Sequence, residues 1–198
     1  MRGGEDADAL ADQSRGPDGQ QHARATAQRR LAPGTPLRAG LDRILHGRTG
    51  ALVVLGNNPK VQQVSTGGFQ LNVEFTPQAL RELAKLDGAI VLSNDLTRII
   101  AAGVHLVPAG DLPTAETGTR HRSADRTAQA SGVPVVTVSA SMSTISLFMD
   151  GDRHVVETSG QMISRANQTL ATLARFVDRL GDVLHQFNAL EVGEQVTI

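Results

Sequence analysis

Residues 86–126 read LDGAIVLSNDLTRIIAAGVHLVPAGDLPTAETGTRHRSADR, and the fold can be worked out from this stretch. Its apolar run at 89–92 is typical of a strand that is buried on both faces. Two further extended runs follow at 97–102 and 104–107. A polar loop over 109–118 then leads into a helix predicted over 123–130. Strands and helices that alternate in this way predict an α/β fold.

The flanking sequence extends this pattern in both directions. Before the stretch, the residues predict a helix over 36–45, a buried strand over 50–56, a return strand over 60–65, a loop over 67–69 and a helix capped by Thr76. After it, they predict strands over 133–138 and 144–148, a hairpin turn over 149–152 and one long helix. The predicted architecture is a mixed central sheet flanked by helices, with a long C-terminal helix.

The predicted domain organisation has four parts. Residues 1–30 hold almost no large apolar side chains, so we expect a disordered tail. Residues 31–160 form the α/β domain. Residues 161–190 form the long helix, which we expect to pack on the domain and to reach a partner surface near its end, and residues 191–198 are a tail. The helix is predicted from one apolar stripe: Ile163, Ala166, Leu170, Leu173, Phe176, Val177, Leu180, Leu184 and Phe187.

Composition narrows the classes of function. A net charge of −1 gives no general basic field for nucleic acid or membrane, and 3% aromatic residues argue against a base-stacking surface. The chain has no cysteine, which excludes disulfides and thiolate metal sites. No apolar run approaches the ~20 residues of a membrane span, and the N-terminus lacks the apolar part of a signal peptide. We therefore expect a cytoplasmic protein.

Polar residues that suit phosphate chemistry lie at both ends of the 86–126 stretch. Asp87 stands beside a buried strand, at the kind of edge where α/β sheets hold ligands. Arg120, His121 and Arg122 crowd the start of a helix, which carries partial positive charge and ordinarily favours acidic side chains. This crowding indicates a bound anion, which the backbone near Gly118 can approach. The sequence therefore predicts a polyphosphate site, with Asp87 able to hold Mg²⁺ or Mn²⁺ beside it.

Simpler interpretations stay open for these residues. Asp87-Gly88 is a common turn at a helix end. The arginines can pair with Glu116 or Asp125 on a solvated surface, where each exposed pair contributes at most about 1 kcal/mol. Ser139 is well placed for a phosphate contact at the end of a predicted strand, although serine is common there. His105 lies in an apolar run and is expected to be a core histidine.

Two motifs in this stretch resemble the signature motifs of diadenylate cyclases. They are Asp87-Gly88-Ala89 and, further along, Gly118-Thr119-Arg120-His121-Arg122. The resemblance extends through the blocks at 50–56, 67–69, 104–108 and 163–168. From about residue 31 to 192, the chain is similar to the N-terminal cyclase domain of the bacterial DNA-integrity scanning proteins.

The resemblance implies a reaction: two ATP molecules condense into cyclic di-AMP and two pyrophosphates, with Mg²⁺ or Mn²⁺ present, where two copies of the domain meet face to face. It implies that Asp87 acts on the metal and on the 3′-hydroxyl, with Gly88 and Ala89 beside the nucleotide. The Leu106 backbone would recognise adenine. The residues implied to hold the phosphates are Thr119, Arg120, His121, Arg122 and Ser139. Gly118 would let the backbone approach the phosphates.

The resemblance favours a homo-oligomeric diadenylate cyclase. Family members continue into a helical spine and a helix-hairpin-helix DNA-binding domain, whereas this sequence ends at Ile198, so DNA binding is not expected. Two alternatives remain. A non-catalytic module that binds ATP or cyclic di-AMP would need the basic helix start but not Asp87. An interaction domain that works through the long helix would leave the clustered positive charge without a role.

Overall fold

The computed structural model describes residues 17–194. Their elements run in the order α1 Pro17–Arg30, α2 Pro36–His46, β1 Ala51–Val54, α3 Pro59–Gln63, β2 Ser65–Thr66, β3 Phe69–Glu74, α4 Pro77–Leu83, β4 Ala89–Leu92, β5 Arg98–Leu106, α5 Thr119–Ser131, β6 Val135–Ser139, β7 Thr144–Met149, β8 Asp152–Val156 and α6 Ser159–Glu194. Of the described residues, those up to Val156 form one compact unit and those from Glu157 onwards form another. The predictions for residues 1–16 and 195–198 lie outside the described residues.

Eight strands of the described chain form one mixed sheet. The strand order is β2-β5-β4-β1-β6-β7-β8, and β3 pairs with β5 on the same edge as β2. The central pair β1–β4 is parallel, with Val53 opposite Ile90, and the other pairs are antiparallel. The predicted mixed α/β sheet is thereby confirmed.

The central strands β1 and β4 are buried on both faces because helices cover each side of the sheet. Successive strand residues point to opposite sides, so sequence neighbours lie in different cores. Val53 and Ile90 belong to a core covered by α1, α2 and α4. Leu52 and Ala89, their sequence neighbours, belong to the opposite core, which is covered by α3 and α5. This double cover explains why β1 and β4 are continuous apolar runs without alternating polar residues.

Three short helices begin with the same local signature, a polar cap followed by proline at the first helical position. Thr35 accepts a hydrogen bond from the Arg38 amide at 3.2 Å, and Thr76 accepts one from the Ala79 amide at 3.0 Å. The third case corrects the return strand that was expected over 60–65. Asn58 accepts a hydrogen bond from the Val61 amide at 2.8 Å, so residues 59–63 form helix α3.

Residues 17–30, the described part of the segment expected to be disordered, form a helix instead. Within α1, Ala27 is 4% exposed. Leu31, one helical turn further on, is 2% exposed and lies in the same core. The guanidinium of Arg38, itself almost fully buried, donates to the Leu31 carbonyl at 3.2 Å. Burial of Ala27 and Leu31 and this hydrogen bond hold the end of α1 in the core, although the composition of residues 1–30 indicates disorder.

The second unit contains the long helix α6, which is confirmed and longer than expected, because it runs through residues 191–194. Its predicted packing on the α/β domain stays a prediction. The helix carries a row of large apolar side chains, each 52–67% exposed, which we call the α6 stripe: Ile163, Leu170, Leu173, Phe176, Val177, Leu180, Val183, Leu184 and Phe187. Across residues 17–194, no helix is both long and apolar enough to cross a membrane.

Candidate active site

The predicted site residues converge at one end of the sheet. Asp87 and Gly88 precede β4, and Gly50 precedes β1, the strand parallel to it. Leu106 ends β5 and Ser139 ends β6, and both of these strands run antiparallel to their neighbours in the centre. The site therefore lies at the amino ends of the parallel pair. In open α/β sheets ligands ordinarily bind at the carboxyl ends, so the sheet rule behind the Asp87 prediction does not apply here.

A cleft of about 310 Å³ opens at this end, between the sheet and the start of α5. Six of the ten predicted residues line it: Asp87, Gly88, Ala89, Leu106, Thr119 and Arg120. Four further residues complete the lining and were not predicted as site residues: Leu52, Val104, His105 and Ser123. The volume and the mixture of apolar wall and polar rim suit a small ligand.

His105 shows why the sequence missed part of the lining. It was expected to be a core histidine because its neighbours are apolar, but it is exposed and faces the cleft, while Val104 beside it is 2% exposed. The alternation of faces along β5 was hidden by bulges in its pairing with β4 and by Gly103, whose φ of 67° interrupts the regular strand.

Gly88 fixes the position of Asp87. Its φ is 109°, a conformation that side chains disfavour, and a Cβ at this position would lie 2.7–2.9 Å from backbone atoms of Gly103 and Val104. The backbone of β5 therefore passes directly beside Gly88. The Asp87 side chain precedes this contact and is exposed on the cleft rim.

The start of α5 forms the opposite rim of the cleft. Gly118 is the N-cap residue, no side-chain hydrogen bond caps the helix, and its first turn holds no acidic residue. Thr119 and Arg120 line the cleft from this turn. The Arg120 guanidinium lies over Gly50, where a Cβ would stand 2.9 Å from Cζ. A carboxylate and an uncapped basic helix start thus line the same cleft.

His121 and Arg122 are not among the residues that line this cleft. Arg122 donates from Nε to the Glu116 carbonyl at 3.4 Å and from Nη2 to the Thr117 carbonyl at 3.3 Å. The His121 ring packs on Phe148 with the centroids 5.8 Å apart, and its Nδ1 lies 4.0 Å from the Glu116 carboxylate. Burial lowers the pKa of His121, the charge of Arg153 lowers it further, Glu116 raises it and Arg120 lowers it.

Ser139 and Gly118 also lie beside the cleft without lining it. The Ser139 hydroxyl is 3.3 Å from that of Ser141 and accepts a weak hydrogen bond from the Met142 amide at 3.4 Å. Since Val138 pairs with Ala51, Ser139 is level with Gly50 and hence with the Arg120 guanidinium. Its contact with a phosphate stays a prediction.

Asp87 can hold a divalent cation if a bound ligand supplies further oxygen atoms to the ion. Among residues 17–194, no group of three or more histidine, aspartate or glutamate side chains could hold a metal ion by itself. Mg²⁺ keeps several water ligands and is commonly bound by one or two carboxylates plus substrate phosphates. One exposed carboxylate that shares a cleft with an uncapped, basic helix start fits that mode of binding.

An α/β domain in which a carboxylate and a basic helix start share one cleft is of the class that binds nucleotides. Residues 38–153 match the family described as DisA bacterial checkpoint controller nucleotide-binding, and residues 156–198 match the DisA bacterial checkpoint controller linker region. The chain belongs to this DisA nucleotide-binding family.

Relatives and solved structures agree with this membership. The chain is 58% identical over 168 residues to a DNA integrity scanning protein DisA of Cutibacterium acnes, covering 85% of this chain and 49% of the relative. It is 54% identical over 183 residues to a DNA integrity scanning protein DisA of Parafrankia sp., covering 92% of this chain and 51% of the relative. The chain thus spans about half the length of these relatives.

Two crystal structures are similar to this chain, and the similarity shows the fold alone. A hypothetical membrane spanning protein from Bacillus cereus has a TM-score of 0.57 at 22% identity, over 78% of each chain. A DacA double mutant from Staphylococcus aureus has a TM-score of 0.51 at 24% identity, over 61% of this chain and 85% of that one.

Proposed function

We propose that this chain is a diadenylate cyclase, which condenses two ATP molecules into cyclic di-AMP and two pyrophosphates. The observation that carries the proposal is the cleft in which Asp87 faces the uncapped start of α5 across the ends of β1 and β4. Membership in the DisA nucleotide-binding family and the signature motifs support it.

The reaction needs two copies of the chain. Each cleft holds one ATP, and each 3′-oxygen attacks the α-phosphorus of the ATP in the facing cleft. One oxygen–phosphorus bond forms in each attack, and the bond from the α-phosphorus to the oxygen that bridges to the β-phosphate breaks, so that pyrophosphate leaves. Because no single cleft contains both partners of an attack, we propose a homo-oligomer with the clefts face to face.

The residues of the cleft would bind and orient the nucleotide. Asp87 would accept the proton of the 3′-hydroxyl, and Gly88 and Ala89 would form the wall beside the sugar. The Leu106 backbone would recognise the adenine edge. In-line phosphoryl transfer depends chiefly on positioning and charge neutralisation, which the helix start and Arg120 would supply. His121, Arg122 and Ser139 would support or extend this phosphate site, with Gly118 leaving the backbone amides accessible.

Mg²⁺ or Mn²⁺ would be held by Asp87 together with the triphosphate, and it would neutralise charge that develops at the α-phosphate. The protein would fix this cation through one carboxylate. We therefore expect the cation to bind with the nucleotide and only weakly without it.

The test is product analysis after incubation of the purified chain with ATP and Mg²⁺ or Mn²⁺. We expect cyclic di-AMP and pyrophosphate in a ratio of one to two. Asp87→Asn should lower turnover by at least about 100-fold, because general acid–base groups contribute on that order, while ATP still binds. Asp150→Asn is the matched control, since Asp150 is exposed in the hairpin turn at the opposite end of the sheet and asparagine tolerates its φ of 53°.

Two outcomes would contradict the proposal. An assembled sample that binds ATP and yields no cyclic di-AMP would support the non-catalytic binding module instead. Normal turnover by Asp87→Asn would show that the role given to its carboxylate is wrong.

A further inference from the structure

An ion pair outside the cleft links the sheet to the segment that precedes α5. Arg153, on β8, donates from Nη1 to the Glu116 carboxylate, with distances of 3.2 and 3.4 Å to its two oxygens. Its Nε donates to the Ser146 hydroxyl of β7 at 3.2 Å, and Ser146 is fully buried. The side chains of Arg153 and Glu116 are 27% and 17% exposed. The guanidinium therefore bridges a fixed point in the sheet and the loop.

Glu116 is also tied to α5 itself. Its carbonyl accepts from Arg122, as described above, and its carboxylate faces the His121 ring, which rests on Phe148 of β7. Further along the same helix, Arg126 donates to the Leu112 carbonyl at 2.9 Å, so the loop runs back along α5. Two side chains of the first turn, His121 and Arg122, thus contact Glu116, two residues before the N-cap.

We propose that Arg153 and Glu116 are positioning residues, whose ion pair holds the start of α5 and the Arg120 guanidinium in place at the cleft. The proposal rests on the proposed function for its substrate, ATP. Neither residue lines the cleft, so neither is a catalytic residue. Their contribution is geometric: the pair fixes the residues just before Gly118, and hence the direction in which the helix amides and Arg120 face the triphosphate.

The charges around His121 give this arrangement a measurable signature. The charged side chains that act on the ring are Arg153 from β8, Glu116 from the preceding loop and Arg120 on the same helix. Arg122 is the next residue and donates to the loop carbonyls, and Asp125 follows one turn later, where it accepts from Gln129. Loss of the Arg153 charge should raise the pKa of His121, and loss of the Glu116 charge should lower it. A general loss of stability would not move the two values in opposite directions.

The experiment compares Arg153→Met, Glu116→Gln and the double variant with the unchanged chain. We expect the dissociation constant for ATP to rise about tenfold in each single variant, and the double variant to be no weaker than either, because both remove the same pair. Arg153→Lys should recover part of the affinity, since its ammonium can still donate to Glu116. Arg165→Met is the matched control, because it breaks a far more exposed ion pair with Glu157 on the second unit.

The second measurement is an NMR titration of the six histidine rings, with the His121 signal assigned by its loss in His121→Gln. The midpoint should move to higher pH in Arg153→Met and to lower pH in Glu116→Gln. Unchanged ATP affinity in both single variants, additive effects in the double variant, or an unmoved His121 midpoint would each overturn the inference. The titration needs no nucleotide, so it tests the ion pair even if failure to bind ATP overturns the proposed function.

Discussion

The Arg120 guanidinium lies where a side chain at position 50 would stand. A Cβ on Gly50 would first meet the far end of the arginine, 2.9 Å from Cζ, and no backbone atom is among its nearest neighbours. The glycine is therefore needed for the placement of Arg120 and not for a special backbone conformation. The start of β1 therefore leaves the space that the Arg120 side chain from the start of α5 occupies.

Gly50→Ala should displace Arg120 without removing its charge. We expect the fold to persist, because a flexible side chain can move aside, and the dissociation constant for ATP to rise about tenfold. Calorimetric titration with ATP measures the affinity, and circular dichroism checks the fold. Gly160→Ala is the control, since a Cβ there meets open space. Unchanged affinity for Gly50→Ala would show that Arg120 does not need this position.

At the residue scale, the sequence indicated which charged residues lie at the start of α5 but not where their side chains point. The clustered charge of Arg120, His121 and Arg122 correctly indicated an unusual helix start, but successive helical residues point about 100° apart, so three adjacent side chains cannot all face one cleft. Arg120 faces it, and Arg122 turns back to the preceding loop. The Arg153–Glu116 pair was not predictable, because it joins residues that are distant in sequence and carries no local pattern.

Among the elements, predictions held where periodicity and caps agreed and failed where a short segment was ambiguous. The strands β1 and β4 are unbroken apolar runs, and the helix α6 carries a long, consistent apolar stripe. The five-residue helix α3 is too short to show a helical period, so its sequence did not distinguish a helix from a short strand. The strand β3 follows two glycines with positive φ and lies on an edge of the sheet, mostly exposed, so its apolar signal is weak.

The cap of α3 should contribute measurably to stability. Asn58 accepts from the Val61 amide at 2.8 Å and donates to the Ser131 carbonyl at the end of α5, at 2.9 Å. Asn58→Ala removes both bonds and should lower the free energy of unfolding by about 1–2 kcal/mol. Urea unfolding measures the change. Asn58→Asp keeps the cap and loses the donor to Ser131, so its stability should lie between those of the unchanged chain and Asn58→Ala. Equal stability of the unchanged chain and both variants would contradict the role of Asn58 as a cap.

At the scale of the whole molecule, a reaction shared between two copies predicts that specific activity depends on how much of the chain is oligomeric. At protein concentrations where the chain is mostly monomeric, specific activity should rise in proportion to concentration, because the rate then follows the square of monomer concentration. It should level off once assembly is complete. Cyclic di-AMP production and sedimentation velocity, measured on the same dilution series, check this. Constant specific activity across a range in which sedimentation finds only monomer would contradict a shared reaction centre.

The α6 stripe carries a geometric consequence of its own. Its members Ile163, Leu170, Val177 and Leu184 recur every seven residues, which is two turns of 3.5 residues, whereas a straight α-helix has 3.6 residues per turn. The row therefore drifts around the helix by about 20° per heptad, or about 60° from Ile163 to Leu184. A straight neighbour could follow only part of it. Any helix that covers the whole row must wind around α6 with a left-handed sense.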